Sequence, residues 1–132
     1  MERVERAIRE TFQGPLAPPV TLRTYGQHKP FRLREIDARG IVMLLGDGET
    51  YVRLSWKCLE GIPDFLLGRG WVRVGGSKRK SGEVGTLDEY LKRNCTTTLV
   101  SRWLVVVLTR AGVVDVREER PLRVRLRPEF DA

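Results

Sequence analysis

Between Thr86 and Arg127 the apolar residues of this chain pass from helical spacing to strict alternation, a pattern that admits few folds. Thr86-Leu-Asp-Glu89 has the Thr-x-x-Glu spacing of a capping box, in which each side chain satisfies a helix amide that has no partner inside the helix. It predicts a short helix through Arg93 with Leu87, Tyr90 and Leu91 inward, closed by a turn at Asn94-Cys-Thr96. A second helix is predicted from about Thr97 to Ala111. Its apolar stripe is Leu99, Val100, Trp103, Leu104, Val107, Leu108 and Ala111, and Gly112 stands where a helix end favours a left-handed residue. The other face of this helix carries Thr97, Thr98, Ser101 and Arg102, then Thr109 and Arg110. Val113–Val116 and Leu122–Leu126 then read as two strands around Arg117-Glu-Glu-Arg-Pro121. The second strand alternates Arg123, Arg125 and Arg127 with Leu122, Val124 and Leu126.

The rest of the chain supplies a sheet and three short helical segments. Residues 2 to 12 have Val4, Ala7, Ile8 and Phe12 at helical spacing, stopped by Gly14 and Pro15. Pro15-Leu-Ala-Pro-Pro19 is expected to run extended into a first strand from Val20 to Tyr25. Further strands are predicted from Phe31, over Ile41–Leu45, and over Tyr51–Trp56 with Val52, Leu54 and Trp56 on one face. Gly46-Asp-Gly-Glu-Thr50 joins the last two as a hairpin loop. Ser55 can cap a helix through Leu59, and a second short helix restarts at Pro63 and runs to Leu67. Trp71–Val74 is one more strand, followed by the basic loop Gly75–Gly82. The expected fold is α+β in one domain: an N-terminal helix, antiparallel sheet and short helix over residues 1–75, packed on the helix pair and hairpin of residues 83–128. Leu33, Leu44, Leu54, Trp56, Phe65, Leu91, Trp103, Leu104, Leu108 and Val124 are its predicted core.

Charge is distributed unevenly. Of 24 basic residues five are lysines, so 24 − 5 = 19 are arginines. Arginine binds phosphate or a guanine edge with two parallel hydrogen bonds, where lysine acts as a point charge. Up to Gly70 there are 11 bases and 9 acids, net +2; after it there are 13 bases and 8 acids, net +5. The positive excess therefore lies with the helix pair and hairpin.

From Thr86 to Arg127 the order short helix, tight turn, longer helix, arginine-bearing hairpin resembles a winged helix-turn-helix, the DNA-binding architecture of many bacterial regulators. The resemblance lies in element order and covers about a third of the chain, with the third helix drawn from Trp56 to Leu67. It implies that the second helix of the pair enters the major groove and that the hairpin lies along the backbone or in the minor groove. Thr97, Thr98, Ser101 and Arg102 would then face bases, and Arg117, Arg120, Arg123 and Arg125 would lie on or near the wing. Alternating arginines recur every ~6.6 Å along a strand, close to the ~7 Å between adjacent phosphates. Lys78, Arg79 and Lys80 of the basic loop are further candidate phosphate contacts.

The resulting expectation is a non-catalytic binder of double-stranded DNA, either a small transcriptional regulator or the DNA-reading module of a larger system. RNA binding, homodimer formation and a protein-interaction role on the same scaffold stay open, with Tyr25, Trp71 and Phe130 as exposed anchors for a protein partner. No metal or cofactor is expected. Cys58 and Cys95 lack the spacing of a zinc site, and each reads as a partly buried free thiol, with pairing left open should the fold bring them together. The single histidine, His28, has no acid or cysteine at motif spacing, and Asp64 is followed by no Asp/Glu-x-Lys, which argues against an enzyme. No stretch approaches the ~20 apolar residues of a membrane span, and the charged N-terminus lacks the apolar region of a signal peptide, so a cytoplasmic protein is expected.

Overall fold

The alternating stretches of the first half pair with their neighbours in chain order. In the computed structural model, which describes residues 2–13, 19–76 and 83–130, Val20–Arg23 (β1), Pro30–Ile36 (β2), Gly40–Leu45 (β3) and Thr50–Ser55 (β4) form a four-stranded antiparallel sheet ordered β1-β2-β3-β4. Its inner face contributes Leu22, Phe31, Leu33, Ile41, Met43, Leu45, Val52 and Leu54 to the core. Gly40 opens β3 because any side chain there would overlap the Leu54 carbonyl of β4. The expected extended stretch 15–19 lies, apart from Pro19, outside the described residues, as do Lys78, Arg79 and Lys80.

The helix Arg3–Thr11 (α1) buries Val4 and Ile8 completely. Its own N-cap residue, Glu2, makes no side-chain cap. Glu60, at the end of the helix Trp56–Glu60 (α2), supplies the cap instead: its two carboxylate oxygens accept from Val4 N at 2.9 Å and Glu5 N at 2.7 Å. A carboxylate suits this place, since free amides and the positive end of the helix dipole both favour an anion. Ser55 caps α2 as expected, its Oγ accepting from Cys58 N at 3.2 Å. The helix Ile62–Leu66 (α3) follows, with Pro63 in its first turn.

The second half builds a smaller sheet around a helix pair. Val72–Arg73 (β5) precedes the helices Leu87–Asn94 (α4) and Ser101–Arg110 (α5), and the hairpin Val114–Arg117 (β6) and Arg123–Leu126 (β7) follows them. The sheet order is β5-β7-β6, all antiparallel, so the strand before the helix pair joins the second arm of the hairpin after it. Thr86 caps α4 through a 3.1 Å bond from Glu89 N. Glu89 reaches back to Gly85 N rather than to Thr86 N, because the latter already donates to the Glu83 carbonyl at 3.2 Å.

Three expectations need correction. First, α5 begins at Ser101, not Thr97. Thr98 N donates to Thr96 Oγ1 at 3.1 Å, a local bond that competes with helix formation, while Cys95 N and Thr96 N both close α4 by donating to Leu91 O. Second, α5 is buried on every side over Leu104–Leu108, Val105 and Val106 included, because it touches α1, α4, β1 and β6. A helix apolar all round is an interior helix. Third, Cys58 and Cys95 form a disulfide, with Cα atoms 5.3 Å apart, tying α2 to the turn between α4 and α5. Structural disulfides are uncommon in a reducing cytosol.

Most of the predicted core is buried, but Leu44, Phe65 and Trp103 are only half-buried. The three aromatics expected to stand exposed are half-buried too, and two carry arginines: Arg3 lies over Phe130, and Arg117 and Arg125 lie over Trp71. Among the described residues no helix is long and apolar enough to cross a membrane.

Candidate nucleic-acid interface

The alternation of β5, β6 and β7 sends Val72, Val114, Val124 and Leu126 inward, so the residues between them share the outer face. Register then decides which of these stand side by side. Arg73 of β5 is opposite Arg123 of β7, which is opposite Arg117 of β6. Three arginines thus form one row across the sheet. In the next row Arg125 is opposite Asp115, and the Trp71 ring reaches both rows, with the guanidinium of Arg117 4.4 Å and that of Arg125 4.5 Å from its centroid. Guanidinium over an indole is the most favourable of the side-chain cation–π pairings, and it holds both charges close against the sheet.

Like charges directly opposite each other on a sheet are unfavourable, and the surrounding acids relieve only part of the row. Arg73 pairs with Glu83, and Arg117 lies 4.0 Å from Glu119. Arg123, between them, has no ion pair among the described residues. Farther along, Asp115 binds Arg125 at 3.2 Å and Arg127 at 3.5 Å, and Arg127 also hydrogen-bonds Glu129. That hydrogen bond holds the Glu129 carboxyl below the usual carboxylate range. The row through Arg123 is therefore where the face is least neutralised and best able to accept an anion.

Beside the face, a groove of about 580 Å³ separates the β1–β2 loop from the β6–β7 hairpin. Tyr25, Gln27, Arg73, Arg102, Glu118 and Arg120 line it. Arg102 and Arg120, distant in sequence, both line it, and neither has an ion pair among the described residues.

Apart from Lys78, Arg79 and Lys80, which lie outside the described residues, the residues expected to contact nucleic acid fall into four groups. Arg117, Arg123 and Arg125 stand together on the sheet face, and Arg102 and Arg120 share the groove. Thr97 and Thr98 are exposed but lie in the α4–α5 turn, not on a helix face. Ser101 is fully buried: its Oγ donates to Asp88 Oδ1 at 3.5 Å, and a side chain on Gly76 would collide with it. It cannot face bases. With Leu104–Leu108 also covered, α5 presents Arg102 and Arg110 to solvent but no continuous face that could lie in a major groove. Sequence reasoning missed Arg73, Trp71 and Arg127 as members of the face. The alternation Trp71-Val-Arg-Val74 contained the signal, since it puts Trp71 and Arg73 on the side opposite the buried valines.

Comparison of the chain with protein-family models, with curated proteins and with solved structures returns no match.

Proposed function

We propose that this protein binds double-stranded DNA without catalysis, through the outer face of the β5-β7-β6 sheet, and that its contacts are mainly to phosphates. The row Arg73–Arg123–Arg117 carries this reading: three guanidiniums in direct cross-strand register repel one another, and an anion lying over them would relieve that repulsion. Guanidinium groups match the bidentate geometry of phosphate, and Arg125 extends the row along β7. The resemblance of the helix pair and hairpin to a winged helix supports a nucleic-acid role for the hairpin. Because α5 is buried, this reading puts the contact on the sheet rather than on that helix.

Contacts of this kind position a protein on the duplex and carry little sequence information, so affinity should depend on salt far more than on base sequence. Fluorescence anisotropy with a random duplex at a series of salt concentrations tests this. Three phosphate contacts at about 0.9 each give a slope of log K on log salt near −2.7. Arg123→Ala should weaken all duplex sequences alike. Absence of binding in dilute buffer, or binding indifferent to salt, would refute the proposal.

A further inference from the structure

We infer that the groove between the β1–β2 loop and the β6–β7 hairpin takes a single unpaired nucleotide, its phosphate on Arg102 and Arg120 and its base on Tyr25. The inference rests on the nucleic-acid reading of the adjoining sheet face but concerns different residues. Its volume, about 580 Å³, lies within the range of small-molecule sites and is far too small for a duplex. Its charges are divided in a useful way. Of the three acids on its walls, Glu83 is engaged by Arg73, Glu119 lies 4.0 Å from Arg117, and Glu118 has no ion pair among the described residues; nor do Arg102 and Arg120. Two guanidiniums on one groove, neither paired with an acid, suit a phosphate, since each offers parallel N–H donors that it can accept.

The groove also offers a surface for a base. Tyr25 is half-buried, packed in part against the core, and lines the groove, which suits it to stack on a base. Stacking on an aromatic side chain tolerates any base. Gln27 and Glu118 add an amide and a carboxylate within the same walls, and a carboxylate accepts from the exocyclic amine of adenine, cytosine or guanine but finds no donor of that kind on thymine. Arg73 belongs both to the row on the sheet face and to the groove, so the two surfaces are continuous. A duplex lying on the face would deliver an unpaired end nucleotide into the groove.

The test compares a blunt duplex with the same duplex bearing one 5′-phosphorylated unpaired adenosine, by anisotropy, on the full chain. The wild type should bind the overhang about tenfold more tightly, within the range for one stacked base. Tyr25→Leu, which keeps the apolar bulk, should abolish that preference and leave blunt-duplex affinity within about twofold, while Tyr25→Phe should retain the preference. Equal affinity for the two duplexes, or a preference that survives Tyr25→Leu, overturns the inference and leaves the sheet-face reading standing. If neither duplex binds, the sheet-face reading fails, and calorimetric titration with adenosine 5′-monophosphate decides the groove alone. Saturable binding weakened about tenfold by Tyr25→Leu upholds the inference, and no binding overturns it.

Discussion

Replacing Arg123 with glutamine should stabilise the free protein while weakening its hold on DNA. Arg123 stands directly between Arg73 and Arg117, so it has a like charge on either side. For guanidiniums taken as ~7 Å apart, each such pair would cost about 0.6 kcal/mol in water, and two pairs about 1.2 kcal/mol. Glu83 beside Arg73 and Glu119 beside Arg117 offset part of this, which leaves about 1 kcal/mol in dilute buffer. Screening over a Debye length of about 8 Å lowers the figure to about 0.5 kcal/mol at physiological ionic strength. Glutamine keeps the aliphatic stem and so isolates the charge. A chain of 132 residues, at about 2.1 cal/mol/K of unfolding entropy per residue, has about 3.6 °C of Tm per kcal/mol. The variant should therefore melt about 3–4 °C higher in dilute buffer and about 2 °C higher in physiological salt. Binding should move the other way. Losing one phosphate contact lowers the salt slope by about 0.9 and affinity at 0.1 M salt by about eightfold. Calorimetric melting at two ionic strengths and anisotropy on the same preparations read both effects. A lower Tm would refute the repulsion argument, and unchanged affinity and slope would refute the role of the row.

Three further outcomes follow from the fold. Glu60→Ala removes two charge-assisted bonds to the first turn of α1 and should cost about 2–3 kcal/mol in urea unfolding, with faster hydrogen exchange at Val4 and Glu5; unchanged protection at those amides would show that α1 is held by packing alone. Cys58→Ser/Cys95→Ser opens a bridge between residues 37 apart, and the loop-entropy estimate gives a loss of about 4 kcal/mol, which denaturant titration would detect; a loss below about 1 kcal/mol would mean the turn is held without the bridge. The Asp37 carboxyl is held below its usual range chiefly by the Arg53 guanidinium, helped by the Arg39 and Gly40 amides. A depressed folded-state pKa contributes stability that is present above the unfolded value and lost as pH falls through the folded one. Acid titration of stability below about pH 4 should thus be shallower in Asp37→Asn than in the wild type, and parallel curves would exclude the contribution.

Some of this protein was legible in its amino-acid order because the determining interactions are local. The caps at Ser55 and Thr86 bind amides three residues on, the loop at Gly46–Thr50 turns one strand into the next, and alternation fixes which side chains of β2, β4 and β7 go inward. The same local rule placed arginines outward on β7. The extent of α5 was less legible, because the Thr96–Thr98 hydroxyls suit a helix start and a local turn equally well, and the turn prevails in the structure.

Other features depend on chain segments whose meeting no local pattern specifies. The apolar stripe of α5 gave its inner face, but Val105 and Val106 are buried as well, on a helix that α1, α4, β1 and β6 all touch. Ser101 leaves the candidate contacts for a different tertiary reason, since Asp88 of α4 and the chain at Gly76 after β5 lie against it. Glu60 caps a helix 55 residues away, and Cys58 finds Cys95 only when α2 packs beside the end of α4. Arg73, Arg123 and Arg117 become a row through the pairing of β5 with the second arm of a hairpin some 50 residues later, and Arg102 and Arg120 come to line one groove. Periodicity along a chain determines which way a side chain points. Which charges it then stands beside is decided by strand register and sheet packing, and on this protein the candidate function rests on that second step.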